Sequence, residues 1–469
     1  MQGNISSENL LKALAEHFGH SVFRGDQESV VQRTLSGGSS LVLMPTGMGK
    51  SLCYQLPALM LPGLTVVISP LIALMQDQVD KARKHGVPAT FLSSTLSREE
   101  RELRLKQIAT GDHKILYATP ERFRQSEFMK VLVERGVSLL AVDEAHCISQ
   151  WGHDFRPDYS RLGEFREQLG DPATLALTAT ATKTVQEDIL RQLRLEEAPV
   201  FSSGIERPNL HLVPHEVYGL EEKIRDIVGL RHAFPGPAII YFSLIQSLYK
   251  ASSELAKLSL RHSIYHGQLP AQERVRNQRA FLQGSSDLIL ATPAFGLGVD
   301  KKDVRLLIHG EVPNSIESYY QEVGRAGRDG VPSECHLLYD ADDVSIQMEF
   351  IKWANPEPDF ILKVYRLIEG GGPGLATEGV EYLRSQMNFY NKRDFRVETA
   401  INVMERWGCL TEDNSRLGYR VVMEPSAEQL NPDLVKQRLQ VQNQKLLDMV
   451  RLAQMPSEEI LPEIYRYFS

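Results

Sequence analysis

Over most of its length the chain alternates short β-branched apolar runs with longer stretches whose apolar residues recur every three or four positions. The runs Leu41–Met44, Thr65–Ser69, Lys114–Ala118, Leu139–Val142 and Thr174–Leu177 are each flanked by Pro, Gly or a charged turn. Continuous apolar runs of this length read as strands buried on both faces, and the helical stretches between them read as crossovers. The pattern therefore predicts βαβ units and a parallel sheet covered by helices. A break falls at Ser202–Asn209, where SSGIERPN has turn residues and no apolar period. A second series follows, with Ala238–Phe242, Ser263–Tyr265, Asp287–Ala291, Val304–His309 and Glu334–Tyr339 as its strands. Two tandem α/β domains facing each other across a cleft are expected.

Beyond about Asp343 the rhythm changes. Phe360–Ile368, Val380–Met387 and Val397–Trp407 have helical spacing. GCLTEDNSRLGYRVVME then reads as a β-hairpin with its turn near Asp413–Gly418. Three helices followed by a hairpin is the order of a winged helix. A turn near Pro425–Pro432 leads to a closing helical stretch, Pro432–Ala453.

Composition narrows the class without naming a function. The 469 residues are 42% hydrophobic and 24% charged, as in ordinary globular protein. Met1–Ser7 has neither the basic start nor the apolar run of a signal peptide. The most apolar stretch, Ser51–Met75, is interrupted by Pro57, Pro62, Gly63 and Pro70, which argues against a membrane span. Cys53, Cys147, Cys335 and Cys409 lie far apart with no CxxC pair. That spacing argues against a zinc module or a disulfide framework and fits a reducing, cytoplasmic setting. The net charge of −8 does not advertise a nucleic-acid partner, although an acidic total is compatible with a local basic groove.

Three segments carry chemistry. Leu41–Met44 runs into PTGMGKS and then an amphipathic stretch, so Pro45–Ser51 lies at a strand-to-helix turn, the setting a phosphate loop requires. Thr46, Gly47, Met48 and Gly49 would wrap phosphate oxygens with backbone N–H groups. Lys50 would reach the β- and γ-phosphates and the Ser51 hydroxyl would bind Mg²⁺. The strict pattern has glycine where Met44 stands, and the alternative is a glycine turn beside an exposed lysine; the phosphate loop is the favoured reading of this segment even alone. Next, Leu139–Val142 ends in Asp143-Glu144-Ala145-His146. Two acids at a strand's carboxyl end are costly to desolvate without a cation. Asp143 is placed to hold Mg²⁺ and Glu144 to accept a proton from the attacking water. Last, Gln321–Arg328 sets Arg325 and Arg328 three residues apart, expected on one face of a helical turn, where guanidiniums can stabilise a transferring phosphoryl group. A lone RxxR is otherwise an ordinary solvated basic face.

With these parts placed, the chain resembles the RecQ helicases of helicase superfamily 2 over about Leu14–Asp340. The upstream element is present as Leu14, Phe18, Gly19, Phe23, Arg24 and Gln27. The resemblance implies that Gln27 reads the adenine edge, that Arg24 packs on the ring, and that His20 stands where an aromatic partner is usual. SPLIALMQDQV, TPER (Thr119–Arg122), TATAT (Thr178–Thr182), ATPAFGLGVDK and YYQEVGRAGRDG match further elements. The most diagnostic is DEAHCISQWGHDFRPDY, which resembles the family's aromatic-rich loop. Trp151, Phe155 and Tyr159 recur every four residues with Arg156 and His153 between them. On spacing alone this is a helix with a core stripe; the resemblance implies that the aromatics stack on unpaired bases while Arg156 holds the backbone. It also implies that Ser69, Thr119 and Thr292 lie along a strand's phosphates, that Asp300 touches the ribose, and that Thr178 and Thr180 link hydrolysis to movement. Leu244 departs from the family, which has arginine at that place.

The fold implied is α/β: two tandem RecA-like parallel-sheet motor domains, 1–206 and 207–343, then a helical, winged-helix-like region, 344–424, and a helical segment, 425–469. ATP and Mg²⁺ are the cofactors implied. RecQ proteins usually carry a four-cysteine zinc hairpin after the motor, and Cys409 is alone here, so no zinc is expected. Either this is a zinc-independent variant or the chain stops short of a longer tail. The partners implied are single-stranded and forked double-stranded DNA, with 3′ to 5′ translocation, a role in repair or recombination, and no membrane. The location implied is cytoplasmic, and nucleoid-associated if the chain is bacterial. Two alternatives remain: an RNA helicase or non-unwinding translocase, and a non-catalytic winged-helix DNA-binding regulator.

Overall fold

The computed structural model describes residues 6–45, 47–70, 72–93, 96–149, 151, 157–296, 301–387, 394–413 and 415–468, with backbone alone at 72–74, 157, 160 and 412. Contacts divide the chain into two compact units. One holds Met1–Gly310, Glu317–Leu338 and Met455–Ser469, and the other holds Glu311–Ile316 and Tyr339–Gln454.

The first unit contains two sheets. Sheet one has seven strands: β1 (Ser40–Leu43), β2 (Leu64–Ile68), β3 (Ala89–Leu92), β4 (Ile115–Ala118), β5 (Val137–Val142), β6 (Ala173–Thr178) and β7 (Val200–Ser202), in the order β3-β4-β2-β5-β6-β1-β7. Every neighbouring pair is parallel. Alternate residues feed two cores: Val42 and Met44 enter one, and Leu41 and Leu43 the other. The same alternation places Val67 and Ala141 against Val66 and Val142, so the central strands need apolar residues at every position.

Sheet two has six strands: β8 (Leu210–Glu216), β9 (Ala238–Tyr241), β10 (Ser263–Tyr265), β11 (Leu288–Ala291), β12 (Leu306–His309) and β13 (Ser333–Tyr339), in the order β10-β11-β9-β12-β13-β8. The expected strands all form, with ends shifted by one or two residues, and β3, β7 and β8 are additions. All three additions lie at or near sheet edges, where a strand needs fewer apolar residues. Pro214 inside β8 is tolerated because an edge strand leaves one row of N–H groups unpaired. The break expected at Ser202–Asn209 is the crossing from β7 to β8.

In the second unit, helices Asp343–Ala354, Pro358–Glu369, Pro373–Glu378, Val380–Gln386 and Arg396–Arg406 precede the antiparallel hairpin β14 (Leu410–Glu412) and β15 (Tyr419–Val421). Ile361, Val364, Leu383, Val397, Ile401, Met404 and Leu410 form a core shared by Pro358–Glu369, Val380–Gln386, Arg396–Arg406 and the hairpin. The expected helix Pro432–Ala453 forms, with Asn431 capping its first turn and Pro432 opening it. It does not close the chain, because a further helix, Ser457–Phe468, follows and belongs to the first unit. Among the described residues no helix is long and apolar enough to cross a membrane.

Candidate active site

β1 delivers the chain to the Pro45–Ser51 turn, and helix Leu52–Met60 begins directly beyond it. Gly47 and Gly49 have φ of 92° and 88°, left-handed values that a side chain rarely adopts. Such a turn points successive backbone N–H groups to one side, as a phosphate cradle requires. Gln27 is buried against it, with Nε2 donating to Met48 O (2.9 Å) and Gly49 O (3.2 Å) and Oε1 accepting from Arg24 N (2.9 Å). In this conformation its amide is occupied by the loop, so reading an adenine edge requires a change of partner. His20 and Arg24 line the neighbouring cleft.

β5 ends at the acid pair. Glu144 has φ 50°, a strained value for a residue with a side chain, and its N–H donates to Asp143 Oδ1 at 3.0 Å. Part of the Asp143 surface opens into the cleft, yet the carboxyl lies deep in the protein. Burial, with the Glu144 charge beside it, pushes its pKa up to about 6, while Lys50 pulls it the other way. A carboxylate so desolvated and repelled is suited to a divalent cation, and the Ser51 hydroxyl lines the same cleft. Glu144 Oε2 is buried and accepts no hydrogen bond. His146 Nδ1 lies 3.3 Å from it, and the oxygen is placed to accept a proton from water. His146 Nδ1 also lies 3.0 Å from Thr178 Oγ1 at the end of β6, and Thr178 O accepts from Met44 N at 3.0 Å. Because β6 lies between β5 and β1, Thr178 bridges the acid loop and the phosphate loop.

The arginines come from sheet two. Helix Ile316–Val323 stops before them, so Arg325 and Arg328 lie on the Gly324–Gly330 turn and not on a helix face, which corrects the expectation. Gly327, at φ 55°, makes that turn possible. Arg328 Cγ lies 3.5 Å from where a Cβ on Gly47 would stand, which brings the turn directly over the phosphate loop. Arg325 is buried, packs on Gly296 and hydrogen-bonds Tyr241, whose hydroxyl donates to Phe295 O at 3.1 Å. One cleft of about 860 Å³ is lined by Lys50, Ser51, Asp143, Glu144, Arg325 and Arg328 together.

Residues 24–188 match the DEAD/DEAH box helicase family and residues 220–330 the helicase conserved C-terminal domain. The chain is 40% identical over 362 residues to the probable ATP-dependent DNA helicase RecS of Bacillus subtilis (strain 168), covering 77% of this chain and 73% of that protein. It is also 40% identical over 339 residues to the ATP-dependent DNA helicase RecQ of Haemophilus influenzae, covering 72% and 54% respectively. The chain belongs to the RecQ family of helicases. This RecQ-family chain thus spans about half the length of that RecQ relative. Its fold resembles the Mycobacterium smegmatis helicase Lhr bound to ssDNA and AMP-PNP, with a TM-score of 0.60, 18% identity, and coverage of 95% of this chain and 62% of Lhr. ATP and Mg²⁺ use is what the family implies.

The remaining positions of the RecQ-family chain fall into three groups. Ser69, Thr119 and Thr292 each follow the last residue of a strand, β2, β4 and β11, at the carboxyl edges where open α/β sheets bind ligands. β4 and β11 continue alike: Thr119 precedes the short 3₁₀ turn Pro120–Arg124, and Thr292 precedes Pro293–Phe295. Trp151 is half-buried on a turn against the sheet-one core. Tyr159 is 0% exposed in that core. No base can stack on it there, so its assignment as a strand contact is corrected to packing. Thr46, His153, Phe155, Arg156 and Asp300 lie outside the described residues. Sequence reasoning missed Arg207 and Asn209, taken only as turn residues, and the buried pair His309–Glu322 (2.7 Å), which anchors the helix before the arginine turn. A polar residue inside an apolar strand, as His309 is, was the available signal.

Proposed function

We propose that this chain is an ATP-driven motor that unwinds duplex DNA by moving 3′ to 5′ along one strand, acting on single-stranded and forked DNA during repair or recombination. The observation that carries the reading is the single cleft where Lys50, Asp143 and Glu144 from one sheet meet Arg325 and Arg328 from the other. Lys50 and the loop N–H groups bind the triphosphate. Ser51 and Asp143 would hold Mg²⁺, which neutralises phosphate charge when bound. Glu144 takes the proton of the attacking water, and the two guanidiniums balance charge that grows on the phosphoryl oxygens. Because the site needs both sheets, hydrolysis state is linked to their separation.

Ser69, Thr119 and Thr292 suit backbone contacts to a single strand, and Trp151, Phe155 and Arg156 suit base stacking and phosphate binding. The β14–β15 hairpin, with Arg420, Val422 and Met423 exposed, suits a wedge at the fork within a winged-helix-like domain. Steady-state ATPase with single-stranded DNA or RNA tests the reading. Stimulation by DNA well above RNA, abolished by Lys50→Ala, is expected. Preference for RNA would favour an RNA helicase, and hydrolysis absent in all conditions would leave a DNA-binding regulator.

A further inference from the structure

The crossing between the two sheets, Ser203–Asn209, does more than connect β7 to β8. Arg207 Nη1 donates to Gly324 O (3.2 Å), and Nη2 donates to Ala326 O (2.7 Å) and Gly327 O (3.0 Å). Asn209 Nδ2 adds Gly327 O (2.9 Å) and Val331 O (3.1 Å). The carbonyls of Gly324, Ala326 and Gly327 belong to the turn that carries Arg325 and Arg328, and Val331 follows it directly. The turn has no helical ladder to fix it, so its carbonyls must find partners elsewhere, and one guanidinium supplies three of them. Burial holds the Arg207 pKa below its ordinary range, and the hydrogen bonds of its guanidinium go to Asn209 and these carbonyls. A cation desolvated for the sake of neutral acceptors is an unfavourable choice for stability alone.

The crossing is itself held from a distant part of the chain. Tyr465 in helix Ser457–Phe468 accepts from Arg207 N at 3.0 Å, across 258 residues of sequence. Its hydroxyl also hydrogen-bonds that of Tyr320, which in turn donates to Ile205 O. Tyr320 lies in the helix before the arginine turn, its O accepting from Gly324 N at 3.0 Å, and the Phe468 ring sits 6.0 Å from its own. Helix, crossing and turn therefore form one hydrogen-bonded unit.

We infer that Arg207, braced by Tyr465 of the last helix, is a positioning residue that sets the arginine turn so that Arg325 and Arg328 face the triphosphate. The inference rests on the proposed role of those arginines. It makes the C-terminal helix a component of ATPase readiness, although it contributes no side chain to the cleft.

Single-turnover ATP hydrolysis at enzyme excess, with DNA present and melting temperature recorded, tests it in the full chain. Arg207→Lys keeps the charge but cannot span three carbonyls, and should lower the hydrolysis rate about 10- to 100-fold with ATP affinity unchanged. Tyr465→Phe, which removes one hydroxyl and leaves the packing, should lower it a few-fold. In an Arg325→Ala/Arg328→Ala background, Arg207→Lys should add nothing further, because both groups it positions are gone. A rate unchanged in Arg207→Lys, or an equal loss with and without the two arginines, would overturn the inference and leave the arginine assignment standing. An Arg325→Ala rate equal to wild type would overturn both.

Discussion

His146 Nδ1 lies 3.0 Å from Thr178 Oγ1, joining the loop that holds Asp143 and Glu144 to the strand beside the Pro45–Ser51 turn. Both residues are buried, so neither reaches substrate or solvent directly. Their contact connects the acid loop to the rest of sheet one. Thr178→Val keeps the shape and removes the hydroxyl. It should leave DNA-stimulated ATPase within a few-fold of wild type while unwinding falls about 10-fold or more, as a coupling bond worth over 1 kcal/mol would give. Parallel losses of both activities would place Thr178 in hydrolysis itself.

The histidine pair at the edge of sheet two predicts a pH-dependent stability. His215 Nε2 and His336 Nδ1 are 2.8 Å apart, and His336 is buried. Burial, then the neighbouring His215, lowers its pKa to about 4 from an ordinary 6.5, with the Glu334 carboxylate 3.8 Å from Nε2. The unfolded chain therefore takes up a proton first. Stability is complete above pH 6.5 and declines as the pH falls from there to about 4, by about 3 kcal/mol for this residue. Urea denaturation across that range should show the decline, and His336→Gln should flatten it. A slope unchanged in that variant would assign the effect to other groups.

The cores of both sheets were legible because strands buried on two faces write themselves as unbroken apolar runs, as in Leu41–Met44 and Leu139–Val142. The phosphate loop and acid pair were legible for a related reason: each is a short contiguous segment at the end of such a strand. Edge strands were not, since β8 carries Pro214 and exposed positions that weaken the pattern. Spacing of four joined Trp151 and Tyr159, yet one is half-buried on a turn and the other is core, because periodicity does not say which face meets solvent. Arg207 was illegible in principle. Its carbonyl acceptors lie 117 to 120 residues away, and nothing local in SSGIERPN marks a side chain that reaches backbone carbonyls of another element.

The hairpin gives a separable prediction. Replacing 415–418 with a shorter turn retains β14 and β15 and removes the tip. If the tip splits the fork, unwinding should drop while ATPase stimulated by single-stranded DNA stays at the wild-type level. Unchanged unwinding at equal ATPase would mean that the hairpin only packs within its own unit.

Cysteine placement predicts the metal content. Cys53 and Cys147 enter opposite cores of sheet one, Cys335 is buried in β13, and Cys409 is buried with the helices of the second unit. Elemental analysis of purified protein should find zinc well below one atom per chain. Stoichiometric zinc would require a cluster of His, Cys, Asp or Glu ligands, and none is formed among the described residues.

The most direct measurement is ATP-dependent strand separation of a forked duplex by wild type, Glu144→Gln and Arg325→Ala, each shown to bind ATP. The account predicts unwinding by wild type, and hydrolysis slowed about 100-fold or more with no unwinding in either variant, since each sheet supplies a necessary part of one site. Unwinding by Arg325→Ala at the wild-type rate would contradict it.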